Sequence, residues 1–123
     1  EGLYAANGYI FIADRKGGLR VVQASNPVSP VQVSYWEVLS FAHSVEVGDN
    51  YAYIAAGFNG VRIFSLSNPN HPVEVGSFLA DGLFFTLKLS GTRLYAGTMI
   101  SSPEMGIYVL DISNPAQPVA PKW

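Results

Sequence analysis

The chain contains no cysteine and carries little charge. None of its 123 residues is Cys, and only 13% are Asp, Glu, Lys or Arg. Without cysteine the chain has no disulfides, no zinc–thiolate site and no cysteine nucleophile. The net charge is −2, and the only adjacent basic residues are Arg15 and Lys16, so there is no basic patch for phosphates. We therefore expect no nucleic-acid partner.

The sequence also lacks long hydrophobic runs and helical periodicity. No stretch reaches the roughly 18 consecutive apolar residues of a membrane-spanning helix, so we expect no membrane span. Hydrophobic residues nevertheless make up 49% of the chain, which argues against disorder. They occur alternately or in short β-branched and aromatic runs, which is typical of strands covered on both faces. Because the chain starts at Glu1 without Met or a signal peptide, we interpret it as a mature or excised piece.

What the sequence does contain is one unit in three tandem copies. The tripeptide Ser-Asn-Pro occurs at 25–27, 67–69 and 113–115. The first two copies start 42 residues apart and the last two 46 residues apart. Each is followed by a Pro-Val pair and preceded, seven residues before its serine, by a glycine. Agreement at so many positions indicates a true internal repeat.

Each copy has the pattern of four short antiparallel strands. In the middle copy the predicted strands are 43–47, 51–56, 61–66 and 73–78. The pairs Asn7-Gly8 and Asp49-Asn50 predict tight hairpins, because these residues tolerate positive φ. Four strands in about 40–50 residues are the length of one propeller blade. We therefore predict an all-β fold, a β-propeller fragment of three four-stranded antiparallel blades in one domain, with blades at 1–38, 39–80 and 81–123.

Three blades do not close a ring, since propellers typically have about four to eight. Two open faces would remain, and unpaired sheets invite further pairing. Two explanations stay open at this point. The chain is part of a larger propeller whose further blades are its protein partners, or a second copy of the chain completes a six-bladed ring.

The repeat motif resembles a known family. The stretch GIYVLDISNP at 106–115 is similar to the LVIVD repeat, which is found in β-propeller regions of bacterial and archaeal surface or secreted proteins. The resemblance covers essentially the whole chain. It implies a propeller fold and an extracellular or cell-envelope location, and it brings no catalytic residue with it. The motif's Asp is present only as Asp111, since Gln23 and Ser65 replace it, so any turn bond of that carboxylate must be replaced in the other units.

Candidate binding residues lie on one rim of the predicted propeller. The turn rim consists of the hairpins between the first two strands of each unit and the Ser-Asn-Pro turns, and its regularity indicates a structural role. The loop rim consists of the loops between the second and third strands and the connections between units. It differs among the copies, and variable loops on a rigid scaffold are the usual arrangement for binding. The candidates are Asp14, Arg15, Lys16, His43, Phe58, Asn59, Asp81, Met99, Ile100, Glu104 and Met105.

Several of these residues also have a structural interpretation. His43 could bind a ligand or transfer a proton, or it could simply line the channel. The aromatic residues of this region could form a platform for a sugar or a peptide, or could pack between blades: Trp36, Phe41, Phe58, Phe84 and Phe85. Apolar residues in the expanded loop 99–105 suggest a contact surface. Arg20 and Arg62, at equivalent mid-strand positions, could have a functional role or could point outward or snorkel along the strand surface.

The sequence carries no catalytic signature. Neither a nucleophile elbow, an HExxH helix, a P-loop nor a dinucleotide fingerprint is present. Two histidines at unrelated positions predict no metal site, and we expect no cofactor. The leading hypothesis is a non-catalytic scaffold of the cell surface or secreted space that binds protein or glycan partners through the loop rim. The alternatives are an assembly module that closes a six-bladed propeller or a filament, and a propeller enzyme that acts on glycans with residues from further blades.

Overall fold

The computed structural model describes residues 2–16, 18–37, 41–99 and 105–120. Over these ranges the chain forms strands, turns and bends. They contain no helix, and hence none with the length and hydrophobicity needed to cross a membrane. The predicted all-β class is confirmed.

Three antiparallel sheets follow one another along the chain. The first comprises β1 (Gly2–Ala6), β2 (Tyr9–Ala13), β3 (Leu19–Gln23) and β4 (Val31–Trp36). The second comprises β5 (Ser44–Gly48), β6 (Tyr51–Ala55), β7 (Val61–Ser65) and β8 (Val73–Phe78). The third comprises β9 (Leu83–Ser90), β10 (Arg93–Met99) and β11 (Met105–Asp111). Strands lie in chain order in every sheet, so each sheet is a simple meander.

The third sheet differs from the other two. Within the described residues it has three strands, and a single antiparallel bridge between Asp111 and Val119 lies where a fourth strand was predicted. Hydrogen bonds of 2.7 and 3.1 Å close this bridge in both directions. Because residues 121–123 lie outside the described ranges, a longer fourth strand stays a prediction.

Two-residue turns join the first two strands of the first and second sheets. Asn7 and Gly8 have φ angles of 53° and 79°, and Asp49 and Asn50 have φ angles of 48° and 65°. Among residues with a side chain, Asn and Asp reach this left-handed region most readily. Positive φ at both central residues defines the type I′ hairpin. The two hairpins predicted from these dipeptides are confirmed.

The Ser-Asn-Pro turns are closed by the same bond in all three units. The side-chain oxygens of Asn26, Asn68 and Asn114 each accept a hydrogen bond from the N–H two residues later, at 3.1–3.2 Å. Such Asx turns satisfy backbone donors without a strand partner. The repeated tripeptide is thus a structural turn.

The carboxylate of the repeat motif, present in the third unit as Asp111, accepts two further hydrogen bonds beside this turn. Asp111 Oδ1 accepts from the N–H and the hydroxyl of Ser113 at 2.9 and 2.6 Å. These bonds hold the pKa of Asp111 below its usual value. In the second unit Ser65 takes the place of the carboxylate, and the Ser67 N–H lies 3.4 Å from its hydroxyl. In the second unit the serine hydroxyl therefore replaces the carboxylate as acceptor, as expected from the sequence, although the hydrogen bond is longer.

The sheets pack face to face around two hydrophobic cores. Leu19 of β3 and Ile54 of β6 belong to the core between the first and second sheets. Ile63 of β7 and Leu110 of β11 belong to the core between the second and third. All four side chains are fully buried. The middle sheet therefore gives one face to each core, and each core is shared by two sheets.

The first strands of the three units lie side by side. β5 contacts both β1 and β9. The Leu87 N–H donates to Ser44 Oγ at 3.3 Å, and the Leu89 N–H donates to Glu46 Oε1 at 3.0 Å. Stacked meander sheets whose first strands adjoin are the arrangement of propeller blades. The predicted fold class is confirmed, while the boundaries 1–38, 39–80 and 81–123 stay predictions.

Candidate functional site

Backbone bridges join neighbouring blades at the loop rim. Arg15 and Ala42 exchange two hydrogen bonds between their N–H and C=O groups, at 2.9 and 3.1 Å. Gly57 and Phe84 make the equivalent pair at 3.0 and 2.9 Å. Arg15 and Gly57 both have positive φ, 36° and 60°. Each of these two loops is thus fixed, at its second residue after the preceding strand, to the connection that enters the next blade.

Asp14 is engaged by an arginine of its own sheet. Arg20 Nε donates to Asp14 Oδ2 at 2.7 Å, and Arg20 Nη1 donates to Gln32 Oε1 at 3.2 Å. The guanidinium also lies 4.8 Å from the ring centroid of Tyr35, a cation–π distance. Arg20 thus connects the loop to β4, and Asp14 as a binding residue stays a prediction.

Arg62 repeats this connection in the second blade. Its Nε donates to the carbonyl oxygen of Asn59 at 3.0 Å, and its Nη1 pairs with Glu74 of β8 at 3.1 Å. The ion pairs Arg20–Asp14 and Arg62–Glu74 are both partly exposed, so each contributes at most about 1 kcal/mol to the free energy of unfolding. The two arginines thus connect the loops of the loop rim to β4 and β8, the fourth strands of their sheets.

Among the described residues of the loop rim, four large apolar side chains are exposed. Phe58 is 71% exposed, Leu79 65%, Met99 46% and Phe41 38%. We call these four residues the rim patch. A Cβ placed on Gly60 would lie 3.0 Å from Leu79 Cδ2, so Leu79 flanks the loop that carries Phe58. Apolar side chains left exposed on one rim make that rim a candidate interaction site.

Some of the aromatic residues proposed as a binding platform are packed between blades, and others are exposed. Trp36 packs edge-on against Phe64 with centroids 4.5 Å apart, and Phe84 is fully buried beside Phe78. For these two the packing interpretation holds, whereas Phe41 and Phe58 are exposed.

Leu79 was missed by the sequence analysis. The equivalent residue of the first unit is the charged Glu37, so comparison of the repeats gave no apolar signal at this position. Its exposure depends on where the chain leaves β8, which only the structure shows.

His43 lies beside the first backbone bridge. Its backbone N–H donates to the Ala55 carbonyl oxygen at 2.9 Å. The centroid of its ring is 6.0 Å from that of Phe41. Among the described residues, its Nε2 is buried and has no hydrogen-bond partner. Burial lowers the pKa of His43, and nearby positive charge, including that of Arg15, lowers it further. The neutral ring is therefore the favoured form.

The remaining candidates are dispersed around the rim. Lys16 and Asp81 are exposed, and Asn59 is half-buried with its carbonyl on Arg62. Met99 pairs with Met105 at the end of the β10–β11 hairpin. Ile100 and Glu104 lie outside the described residues, as does the side chain of Met105. In the described parts of the chain, no three His, Asp or Glu side chains converge into a metal-binding group.

The turn rim has contacts that explain its regularity. The Tyr9 hydroxyl donates to Asn70 Oδ1 at 3.2 Å, which joins β2 to the turn of the next blade. A Cβ on Gly76 would meet the carbonyl oxygen of Pro115 and lie 3.1 Å from Ala116 Cα. Each of these turns therefore packs against the preceding blade, as a structural role requires.

These features define a β-propeller repeat scaffold in which neighbouring blades are joined at both rims. The model of the LVIVD repeat matches residues 2–37, 41–80 and 100–120. Because that match covers most of the sequence, the chain belongs to the LVIVD repeat family, as its motif implied. Comparison with curated proteins finds no match.

Proposed function

We propose that this chain is a non-catalytic scaffold of the cell surface or secreted space that binds a protein partner on its loop rim. The rim patch is the observation that supports this proposal most directly. Phe58, its most exposed member, directly follows Gly57, whose backbone is bonded to Phe84 of the next blade. A contact residue on a fixed loop loses little entropy when it binds.

The composition of the rim patch favours a protein partner over a glycan. Leu79 and Met99 are aliphatic, and only Phe41 and Phe58 offer rings on which a sugar could stack. Aromatic residues and Met are enriched at protein interfaces, with polar residues at the margin. The exposed Lys16 and Asp81 supply polar groups on the same rim. Glycan binding is the alternative that the experiment below distinguishes.

A double substitution tests the rim patch. The immobilised chain, incubated with secreted and envelope fractions of the source cells, should retain a protein. Phe58→Ser/Leu79→Ser should weaken that interaction about 100-fold, because truncating an interface anchor typically costs a factor of ten or more. Both side chains are mostly exposed, so the melting temperature should change little. Titration of the retained protein by surface plasmon resonance gives the affinity.

Val28→Ser is the matched control, since Val28 is 88% exposed on the turn rim. It should leave the affinity unchanged. Equal losses in both variants, or full retention in the rim variant, would contradict the proposal. Binding to a glycan array without any retained protein would favour the glycan alternative, and release of reducing ends from polysaccharides would favour an enzyme.

A further inference from the structure

Equivalent hollows lie on the turn rim at both junctions between blades. The first has a volume of about 150 Å³ and lies between the first and second blades, and the second has about 220 Å³ and lies between the second and third. Each is lined by two aromatic residues from the second strand of one blade and by the Ser-Asn-Pro proline of the next. These residues are Tyr9, Phe11 and Pro69 in the first hollow, and Tyr51, Tyr53 and Pro115 in the second. A blade of this chain bounds each hollow on either side, so described residues define both.

The hairpin of the second blade separates the two hollows and contributes to both. Gly48 and Asp49 line the first hollow and the second, so the hollows are direct neighbours. The side chain of Asp49 is exposed, and within the described residues no hydrogen bond or ion pair engages its carboxylate. That carboxylate is therefore free to accept hydrogen bonds from a ligand.

The aromatic residues provide rigid and uncharged walls. The Tyr9 hydroxyl donates to Asn70 Oδ1 of the next blade, which fixes the half-buried ring before any ligand arrives. Burial raises the pKa of Tyr53 to about 12, with a further contribution from the negative charge of Asp49. Tyr53 is therefore a neutral phenol at physiological pH.

This lining selects a ligand with an apolar face and several hydrogen-bond donors. A carboxylate only accepts hydrogen bonds, so the ligand has to donate to Asp49. Among the described residues no Lys or Arg lines either hollow, which disfavours phosphate and other anions. A neutral sugar meets these conditions, because its hydroxyls donate and its ring C–H groups pack on an aromatic ring. The size agrees, since a cavity of about 150 Å³ holds a benzene molecule and hence one ring.

Two other ligands that bind aromatic hollows fit less well. A proline-rich peptide has no N–H at its prolines to donate to the carboxylate of Asp49. A quaternary ammonium group has no donor either, and it is held by a cage of aromatic faces. Tyr53 is only 2% exposed, so Tyr51 is the one accessible ring among the described residues that line the second hollow.

We propose that each hollow binds one residue of a neutral glycan, and that one glycan chain crosses the hairpin at Asp49 to occupy both. Two adjacent sites bind a linked ligand more tightly than either site binds a single sugar, because the second contact is intramolecular. This inference goes beyond the proposed function, which concerns the loop rim.

A nuclear magnetic resonance titration of the 13.3 kDa chain, labelled with ¹⁵N, tests the proposal. The probes are the methyl glycosides of neutral hexoses, 6-deoxyhexoses and N-acetylhexosamines. At least one should shift the amide signals around Tyr9 and around Tyr51, with a dissociation constant of about 1 mM, as expected for a ligand of this size. A hexasaccharide of that sugar should bind at least about 10-fold more tightly.

Two variants assign the binding to the hollows. Asp49→Gly keeps a residue that adopts positive φ in the hairpin, and it should weaken binding at both hollows at least about 10-fold, since hydrogen bonds to a charged group are lost. Thr92→Trp places a large side chain at an exposed position that lines only the second hollow. It should leave the first hollow unchanged and abolish the gain shown by the hexasaccharide. Val28→Ser, on the turn rim but outside both hollows, is the control and should bind like the original chain.

The inference and the proposed function can fail separately. Phe58→Ser/Leu79→Ser should keep sugar binding while it loses its protein partner, and Asp49→Gly should keep that partner. No signal shift with any neutral sugar at about 50 mM, a dissociation constant far weaker than the one expected, would overturn the inference. So would shifts confined to the loop rim, unchanged binding by Asp49→Gly, or tighter binding of choline or of a decaproline peptide than of every sugar.

Discussion

Gly60 lies where the second loop of the loop rim turns back into β7. Its φ is 77°, and a Cβ there would meet the carbonyl oxygen of Phe78. Gly91, in the hairpin between β9 and β10, has a φ of 59°, but no atom lies within 4 Å of an added Cβ. These two glycines therefore separate the cost of backbone strain from the cost of close packing.

Gly60→Ala should lower the free energy of unfolding by about 2–4 kcal/mol, the sum of left-handed strain and a steric clash. Gly91→Ala should lower it by only about 1 kcal/mol, since strain alone applies. Urea unfolding followed by tryptophan fluorescence measures both. Equal losses in the two variants would show that the contact with Phe78 does not matter.

The pKa of His43 has a consequence for stability in mild acid. The folded chain favours the neutral ring, because burial and the nearby positive charge oppose protonation. In the unfolded chain the ring has its ordinary pKa of 6.5. Protons therefore bind preferentially to the unfolded state as the pH falls through 6.5, and the stability of the folded state declines toward its lower folded pKa.

His43→Phe, which introduces the residue found at the equivalent position 85, should remove this decline. Between about pH 7 and 5 the melting temperature of the variant should fall less than that of the original chain. His71→Gln, in an exposed Ser-Asn-Pro turn, is the control and should follow the original curve. Parallel curves for His43→Phe and the original chain would refute the expectation.

Local backbone chemistry was predictable where it depends on neighbouring residues. The positive φ of Asn7 and Asp49 follows from Asn and Asp in two-residue hairpins. The positive φ of Arg15 does not, because a bond to Ala42, distant in sequence, helps to fix that residue. The ion pair between Asp14 and Arg20 was also unpredictable, since it depends on how the loop lies over the sheet.

At the scale of elements, the Ser-Asn-Pro turn of the third unit fits closely against β8. Gly76 provides the space, because a Cβ there would meet the Pro115 carbonyl oxygen. The first unit has Ser34 at the equivalent position of β4. The first and second blades therefore differ in the residue at this position, although the Ser-Asn-Pro turns agree in sequence.

Gly76→Ser, which copies the first unit into the second, should lower the free energy of unfolding by about 1–3 kcal/mol, because the turn must move outward. The reverse change, Ser34→Gly, adds no atom and should cost no more than about 1 kcal/mol. Thermal unfolding by calorimetry compares the two. A neutral Gly76→Ser would mean that the turn is free to shift.

The order of strands was predictable because the breakers recur at fixed spacing. The fourth strand of the last unit was predicted from the repeat alone, and the described residues show one bridge at Val119 in its place. Leu79 could not be found from the sequence, because the connections between blades diverge in residue type. Phe58 and Met99 were predicted because the loops between the second and third strands differ in sequence among the three units.

At the scale of the whole molecule, the two hydrophobic cores of the described residues lie between the sheets. Apolar residues on both strand faces were sufficient to predict stacked blades. They could not show which face remains uncovered, because Leu19, Val61 and Ile107 are all apolar. Only the exposure of Ile107 and Leu3 identifies the two free faces.

The bridges at Arg15 and Gly57 determine where the scaffold can accept new sequence. Because the chain is secured to the next blade before each loop reaches its tip, extra residues inserted beyond that point add length without releasing the attachment. The third unit carries its four additional residues in this same interval. Evolution and protein engineering thus have a position at which foreign peptides can be grafted while the underlying framework stays intact.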